Sequence, residues 1–313
     1  MQSKHFLTAF LLGAVLQSFA QLQQPVVKKE SKIFNEHGSQ RNDDYYWLSN
    51  PKDSNVINHL KAENKYTEAY LKPTEELQKK LYDELVSRIP GRDQSLPVKR
   101  NGWWYYNRFE EGKQYPYYAR KKGTTTAPEE IILDVPKMAE PYKIFLVRGT
   151  AVAPDNDHYL YGVDTAGDRR SILYLKQLST GKLLPETISN TTGNYAWTAD
   201  SKSFYYTLFD HTVRGYKVMR HLLGTDPSTD KEIYTEKDST YSVYLTKAKN
   251  GRFIFIHSGS TNTNEVRYVD ASNARATPVM IQKRIEGIEY TPAYFEGEVF
   301  HIYTNKDATN FKV

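Results

Sequence analysis

Five times along the chain a turn pair leads directly into a short strand dense in aromatic and apolar residues. Asn101-Gly102 precedes WWYYNRF, Asp155-Asn156 precedes DHYLYGVD, and Asp200-Ser201 precedes KSFYYTLFD. Asn250-Gly251 precedes RFIFIHS and Glu296-Gly297 precedes EVFHIYT, so successive turns are 54, 45, 50 and 46 residues apart. A recurrence of about 40 to 50 residues made only of strands and turns is the spacing of four-stranded propeller blades. An antiparallel sandwich also has short strands, but no reason to repeat one layout at this interval. Outer strands fit the same plan: ILYLKQL at 172–178 runs into Thr180-Gly181, and EVRYVDA at 265–271 into Ser272-Asn273. Each alternates with period two and ends in a turn. The 25 Tyr, 13 Phe and 4 Trp agree, because aromatic side chains suit pleated sheets packed on one another.

Before residue 91 the periodicity is helical. Ser54 is placed to cap a first helix carrying Val56, Ile57, Leu60, Tyr66, Tyr70 and Leu71, which Pro73 stops. Thr74 is placed to cap a second, with Leu77, Leu81, Leu85 and Ile89 four apart on one stripe, ended by Pro90-Gly91. Such stripes need an apolar partner. Further upstream, Lys4, an apolar run from Phe6 to Leu16, and small residues Ser18 and Ala20 form the pattern of a signal peptide cleaved before Gln21. A core helix is the alternative, but nothing polar alternates within the run. The expected organisation is a signal peptide at 1–20, a linker at 21–42, a helical segment at 43–95 and a propeller at 96–313. Localisation is then periplasmic or extracellular, with no membrane span.

Charge and cysteine count exclude several classes of function. Lys and Arg number 42 against 37 Asp and Glu, a net charge of +5, and the longest basic run is only Arg120-Lys121-Lys122. A nucleic-acid partner needs basic residues gathered on one face or helix, so none is expected. With no cysteine there is no disulfide, thiolate nucleophile or cysteine-held zinc, and no lipid-anchored form of export. The eight His, at 5, 37, 59, 158, 211, 221, 257 and 301, show no metal-ligand spacing, so no metal and no cofactor is expected.

Longer stretches resemble a known family. DDYYWL at 43–48 is similar to the opening motif of the prolyl oligopeptidase family, and NRFEEGKQYPYYARKKG at 107–123 resembles the first blade of its oligopeptidase B branch. YGVDTAGDRR at 161–170, TGKLLPETISNTTGNYAWTADSKSFYYT at 180–207, KVMRHLLGT at 217–225 and TNKDATNFKV at 304–313 follow in the family's order and spacing. The resemblance implies a seven-bladed propeller over an α/β-hydrolase domain, restricting access to peptides. It also implies a helical segment packed on that domain, and cleavage after Arg or Lys. Seven blades need about 320 residues, so the expected fold is all-β: an incomplete seven-bladed propeller of about four and a half blades, preceded by the helical segment.

The G-x-S-x-G elbow that presents a nucleophilic Ser occurs nowhere; Ser258-Gly259-Ser260 lacks the second Gly and its strand context. No catalytic residue is therefore assigned, and the chain by itself is expected to be inactive. Glu110-Glu111-Gly112-Lys113 reads as a hairpin turn in preference to a carboxylate pair. Asp164-Thr165-Ala166-Gly167-Asp168 reads as a β-turn, with an interface or peptide-facing loop as the alternative. Asn190-Thr191-Thr192 matches the N-glycosylation pattern, which matters only in a eukaryote. Two functions remain open. The chain is the propeller portion of a serine oligopeptidase, with peptides and a C-terminal hydrolase domain as partners, or it is a secreted non-catalytic propeller that binds.

Overall fold

The computed structural model describes residues 22–313 except Ala274 and Glu298; the expected leader at 1–20 lies outside the described residues. The chain divides into two units, up to Pro90 and from Gly91 onward.

The first unit opens with a hairpin that the sequence reading took for linker: β1 (Lys32–Glu36) pairs with β2 (Ser39–Asp43). His37 and Gly38, at φ 53° and 75°, make the two-residue turn that suits strand twist. Lys32 lies over the Tyr46 ring at 3.5 Å, and the Phe34 and Tyr46 rings meet edge-on. Two helices follow, α1 (Ser54–Leu71) and α2 (Glu75–Ser87). The cap of α1 is Asp53, not Ser54: its carboxylate accepts from the Asn55 N–H at 2.8 Å. Thr74 stands at the head of α2, but its hydroxyl donates to the Leu71 carbonyl and caps nothing. No residue of α2 is buried; Leu77, Leu81 and Leu85 are 56%, 49% and 62% exposed.

The second unit is a run of propeller blades. Blade one holds β3 (Asp93–Gln94) and β4 (Val98–Arg100), both paired with β5 (Trp103–Phe109), then β6 (Tyr117–Lys122) and β7 (Glu129–Asp134). Blade pairing therefore starts at Asp93, slightly ahead of the boundary expected at 96. A short helix, α3 (Val135–Ala139), capped by Asp134, leads to blade two. There β8 (Leu146–Val152), β9 (His158–Asp164) and β10 (Ser171–Gln177) pair in order with the first half of β11 (Leu183–Trp197). The second half of β11 is the inner strand of blade three, beside β12 (Ser203–Phe209), β13 (Gly215–Leu222) and β14 (Lys231–Thr235). One strand thus serves two blades and joins them in a single seven-stranded sheet.

Blade four is β15 (Ser242–Lys247), β16 (Phe253–Gly259), β17 (Asn264–Asp270) and β18 (Val279–Gln282). β19 (Tyr290–Ala293) and β20 (His301–Thr304) are the first two strands of a fifth. The five aromatic-rich segments are the second strands of successive blades, as their common layout predicts. ILYLKQL and EVRYVDA are third strands, each covered by a fourth, and not the outermost ones.

Period-two alternation explains why the second strands are apolar on both faces. Along β9, Tyr159, Tyr161 and Val163 pack with Ile132, Leu133 and Phe145 toward blade one, while Leu160 turns to Trp197 and Phe204 of blade three. Along β16, Ile254 and Ile256 meet Tyr205 and Val218 of blade three, and Phe253 and Phe255 meet Tyr290 and Tyr294 of the fifth blade. The core is accordingly a series of four clusters, one between each pair of neighbouring blades. Near the axis the inner strands of blades two and three touch at Gly149 and Gly193, at φ 74° and 86°. A Cβ on Gly149 would stand 1.6 Å from the Gly193 carbonyl oxygen, so no larger residue fits that crossing.

Candidate functional site

The two ends of the propeller unit differ in chemistry. At one end lie the hairpins between second and third strands and the connections from blade to blade, and there arginines tie loop to loop. The Asp164 carboxylate, fully buried, accepts from the N–H groups of Ala166, Gly167 and Arg169 and from Arg148 at 3.2 Å. Burial alone would raise this carboxyl; the backbone donors and Arg148 outweigh it and hold it below the usual range. The segment 164–168 is thus a turn organised around its own first residue, which is the plainer of its two readings.

Arg170 reaches from blade two to Asn190 Oδ1 and to the carbonyls of Asp210 and His211 in blade three. Arg214 is held by Asp210 at 2.9 Å and donates to the carbonyls of Asp238 and Tyr241, on the way to blade four. Arg284, beyond blade four, bridges Glu236 at 2.6 Å and Glu265 at 3.0 Å and stacks on Tyr241 at 3.8 Å. Glu236 also accepts from the hydroxyls of Tyr234 and Ser258. Burial pushes its carboxyl up, but these donors, the Asp238 N–H and Arg284 together bring it down to about 2. Glu236 and Glu265, each 5% exposed, therefore stay ionised and neutralised in place. They hold loops and are not free to act as acid or base.

Ser258 shows the same division of labour. It ends an antiparallel strand and donates to a carboxylate that is already charge-paired, so it resembles no activated nucleophile. Glu110 and Glu111 sit in the β5–β6 hairpin with Gly112 at φ 73°, and Glu110 pairs with Arg108 at 2.6 Å. Asn190, of the glycosylation pattern, takes φ 61° and donates to the Phe209 carbonyl at 2.7 Å, a structural role within the sheet. Among the described residues no group of three or more His, Cys, Asp or Glu is placed to hold a metal ion, and no helix is long and apolar enough to cross a membrane.

The opposite end carries the turns between first and second strands, and there a crevice opens among the blades. Val98 to Asn101 of blade one, Val152 to Pro154 of blade two, Ala199 of blade three and Lys247 to Gly251 of blade four surround a crevice of about 680 Å³. Only at the axis can four blades approach one space. Asn101 fixes part of this rim by donating to the Pro154 carbonyl at 3.0 Å, and Asn156 returns a bond to the Asn101 carbonyl at 3.1 Å. Sequence reasoning marked these turns as blade punctuation and missed the crevice, because its wall is assembled from residues about 50 positions apart.

The sequence pattern of the prolyl oligopeptidase N-terminal β-propeller domain matches residues 25–313, nearly the whole described chain. The chain belongs to the prolyl oligopeptidase family. It is 31% identical to Protease 2 of Moraxella lacunata over 93% of its length and 35% identical to dipeptidyl aminopeptidase BI of Pseudoxanthomonas mexicana over 92%. Among solved structures it superposes on oligopeptidase B from Leishmania major with a TM-score of 0.87 at 29% identity, covering 93% of this chain. Oligopeptidase B from Trypanosoma brucei, in a closed form with covalently bound antipain, gives 0.83 at 26%, covering 91% of this chain. The chain spans 43% and 42% of the two curated relatives and 44% and 43% of the two solved chains. The propeller fold expected from the turn repeat is therefore the fold of this family's N-terminal domain.

Proposed function

We propose that this chain is the access-controlling propeller portion of an exported serine oligopeptidase that cuts peptides after Arg or Lys. The observation that carries this reading is the likeness to oligopeptidase B across 93% of the chain at a TM-score of 0.87. In this reading the chemistry belongs to an α/β-hydrolase part outside these 313 residues: a Ser acylated by the substrate, a His as general base, an Asp orienting it. The propeller supplies a rigid wall that admits unfolded peptide and excludes folded protein. The unburied stripe of Leu77, Leu81 and Leu85 supports the same arrangement, since such a helix face is made to be covered. Export follows from the apolar run at Phe6–Leu16 with Ser18 and Ala20, and N-terminal sequencing of the secreted protein should begin at Gln21.

The 35% identity to a dipeptidyl aminopeptidase favours a second reading, in which the whole protein removes dipeptides from free N-termini. One experiment separates the two. Residues 25–313 are grafted in place of the corresponding part of Protease 2 of Moraxella lacunata, and the graft is assayed on N-blocked arginyl and lysyl amides, on free dipeptidyl amides and on a folded protein. Cleavage of the blocked amides with the folded protein spared is expected. Cleavage of folded protein would overturn the access-controlling role, and activity confined to free dipeptidyl amides would favour the second reading.

A further inference from the structure

Every ionisable side chain that lines the crevice is a base. Lys99 and Arg100 come from blade one, Lys247 and Lys249 from blade four, and no Asp or Glu lines it among the described residues. None of the four forms an ion pair among the described residues, whereas Arg148, Arg214 and Arg284 at the other end of the propeller are matched with carboxylates. Lys99, Arg100 and Lys249 are exposed. Lys247 is fixed by donating to the Trp197 carbonyl at 2.7 Å, and burial lowers its pKa. A concave mouth with one sign of charge focuses its field into the opening and concentrates the opposite charge there.

We propose that this mouth is a carboxylate-selective port for peptides, binding either acidic side chains or the chain's own terminal carboxylate. The proposal rests on the crevice being the peptide path. It adds a selection that the cleavage preference does not contain. A basic peptide is disfavoured at this opening, so the favoured substrate presents its basic residue deeper and its carboxylate here. Four cations around one opening give an expected preference of about tenfold or more at low salt, falling as salt screens exposed charges beyond about 10 Å.

The test is direct binding to the 313-residue chain, measured by fluorescence anisotropy, so that it does not depend on hydrolysis. The probes are labelled hexaglutamate with an amidated C-terminus, hexaserine as free acid and as amide, hexalysine, and a short oligodeoxynucleotide. Hexaglutamate should bind at least about tenfold more tightly than hexalysine, and hexaserine acid more tightly than its amide. If only one of these two preferences appears, it identifies which carboxylate the port reads. The double variant Lys99→Glu/Lys249→Glu should abolish the preference for carboxylates. The control Lys143→Glu/Lys237→Glu makes the same change in net charge on exposed residues of the opposite end and should keep it. Equal loss in both doubles, absence of both carboxylate preferences, or tighter binding of the oligonucleotide than of any peptide would overturn the proposal. Failure of the grafted enzyme to cleave blocked amides would instead count against the peptidase reading and leave these affinities untouched.

Discussion

His257 occupies a place in blade four where a second proton has nothing to meet. Its ring stacks on Tyr244 at 4.5 Å, nearly parallel, and Nε2 faces the Thr246 hydroxyl at 2.7 Å. Nδ1 is buried with no hydrogen-bond partner, and burial lowers the pKa from 6.5 to about 4. The folded chain thus holds His257 neutral where an unfolded chain would protonate it. Its contribution is complete above about pH 6.5 and is lost as the pH falls toward 4, to the extent of about 3 kcal/mol. Urea unfolding at neutral pH and near pH 5 should show a drop in stability that shrinks in His257→Phe, which keeps an aromatic ring over Tyr244. An unchanged pH slope in the variant would show that other groups set the acid sensitivity. Little of this was legible in the sequence, where His257 was one of eight dispersed histidines. The Asp164 turn was visible as a turn, but not its buried carboxylate. The arginine ties were invisible too, because Arg284 and Glu236 lie 48 residues apart.

Elements were easier to read than residues wherever the pattern was local. A turn pair followed by a strand apolar on both faces marked the second strand of each blade, because that strand lies between two neighbouring sheets. The hairpin at 32–43 escaped for the opposite reason: its strands are mostly exposed, and only the turn at His37-Gly38 signals it. The first helix was read correctly in extent, the second ends at Ser87 and leaves Ile89 outside it, and Asp53 does what was assigned to Ser54. The difference between α2 and the blades is energetic. Leu160 is fully buried, and Leu160→Ala should cost about 2 to 5 kcal/mol through lost burial and a residual cavity. Leu81→Ala or Leu85→Ala in the isolated chain should change stability by less than about 0.5 kcal/mol, since each side chain is about half in water or more. Chemical denaturation of the three variants compares them. A cost at Leu81 approaching that at Leu160 would mean that the stripe is covered within this chain.

At the scale of the molecule, a propeller is held together by the clusters between blades, so the strand at the end of a run shows what a blade loses without its neighbours. β20 pairs with β19 along one edge, and along the other, among the described residues, it has only a single bridge, Thr304 with Lys312. Around it Phe295, Val299 and Tyr303 are 52%, 62% and 50% exposed. An open edge bordered by apolar side chains is a template for pairing with another chain, and a lysine on such an edge discourages it. The blade order read from the turn repeat leads to this expectation directly, because the repeat makes EVFHIYT a second strand, and among the described residues β20 has no third strand beside it. The 313-residue chain, purified by itself, should therefore associate as its concentration rises, and Tyr303→Lys should reduce that association without lowering the unfolding midpoint by more than about 1 kcal/mol in equivalent stability. Light scattering across a concentration series checks both forms. If the unmodified chain stays monodisperse throughout, the edge is protected by contacts within the chain, and the exposed apolar residues beside β20 do not drive pairing.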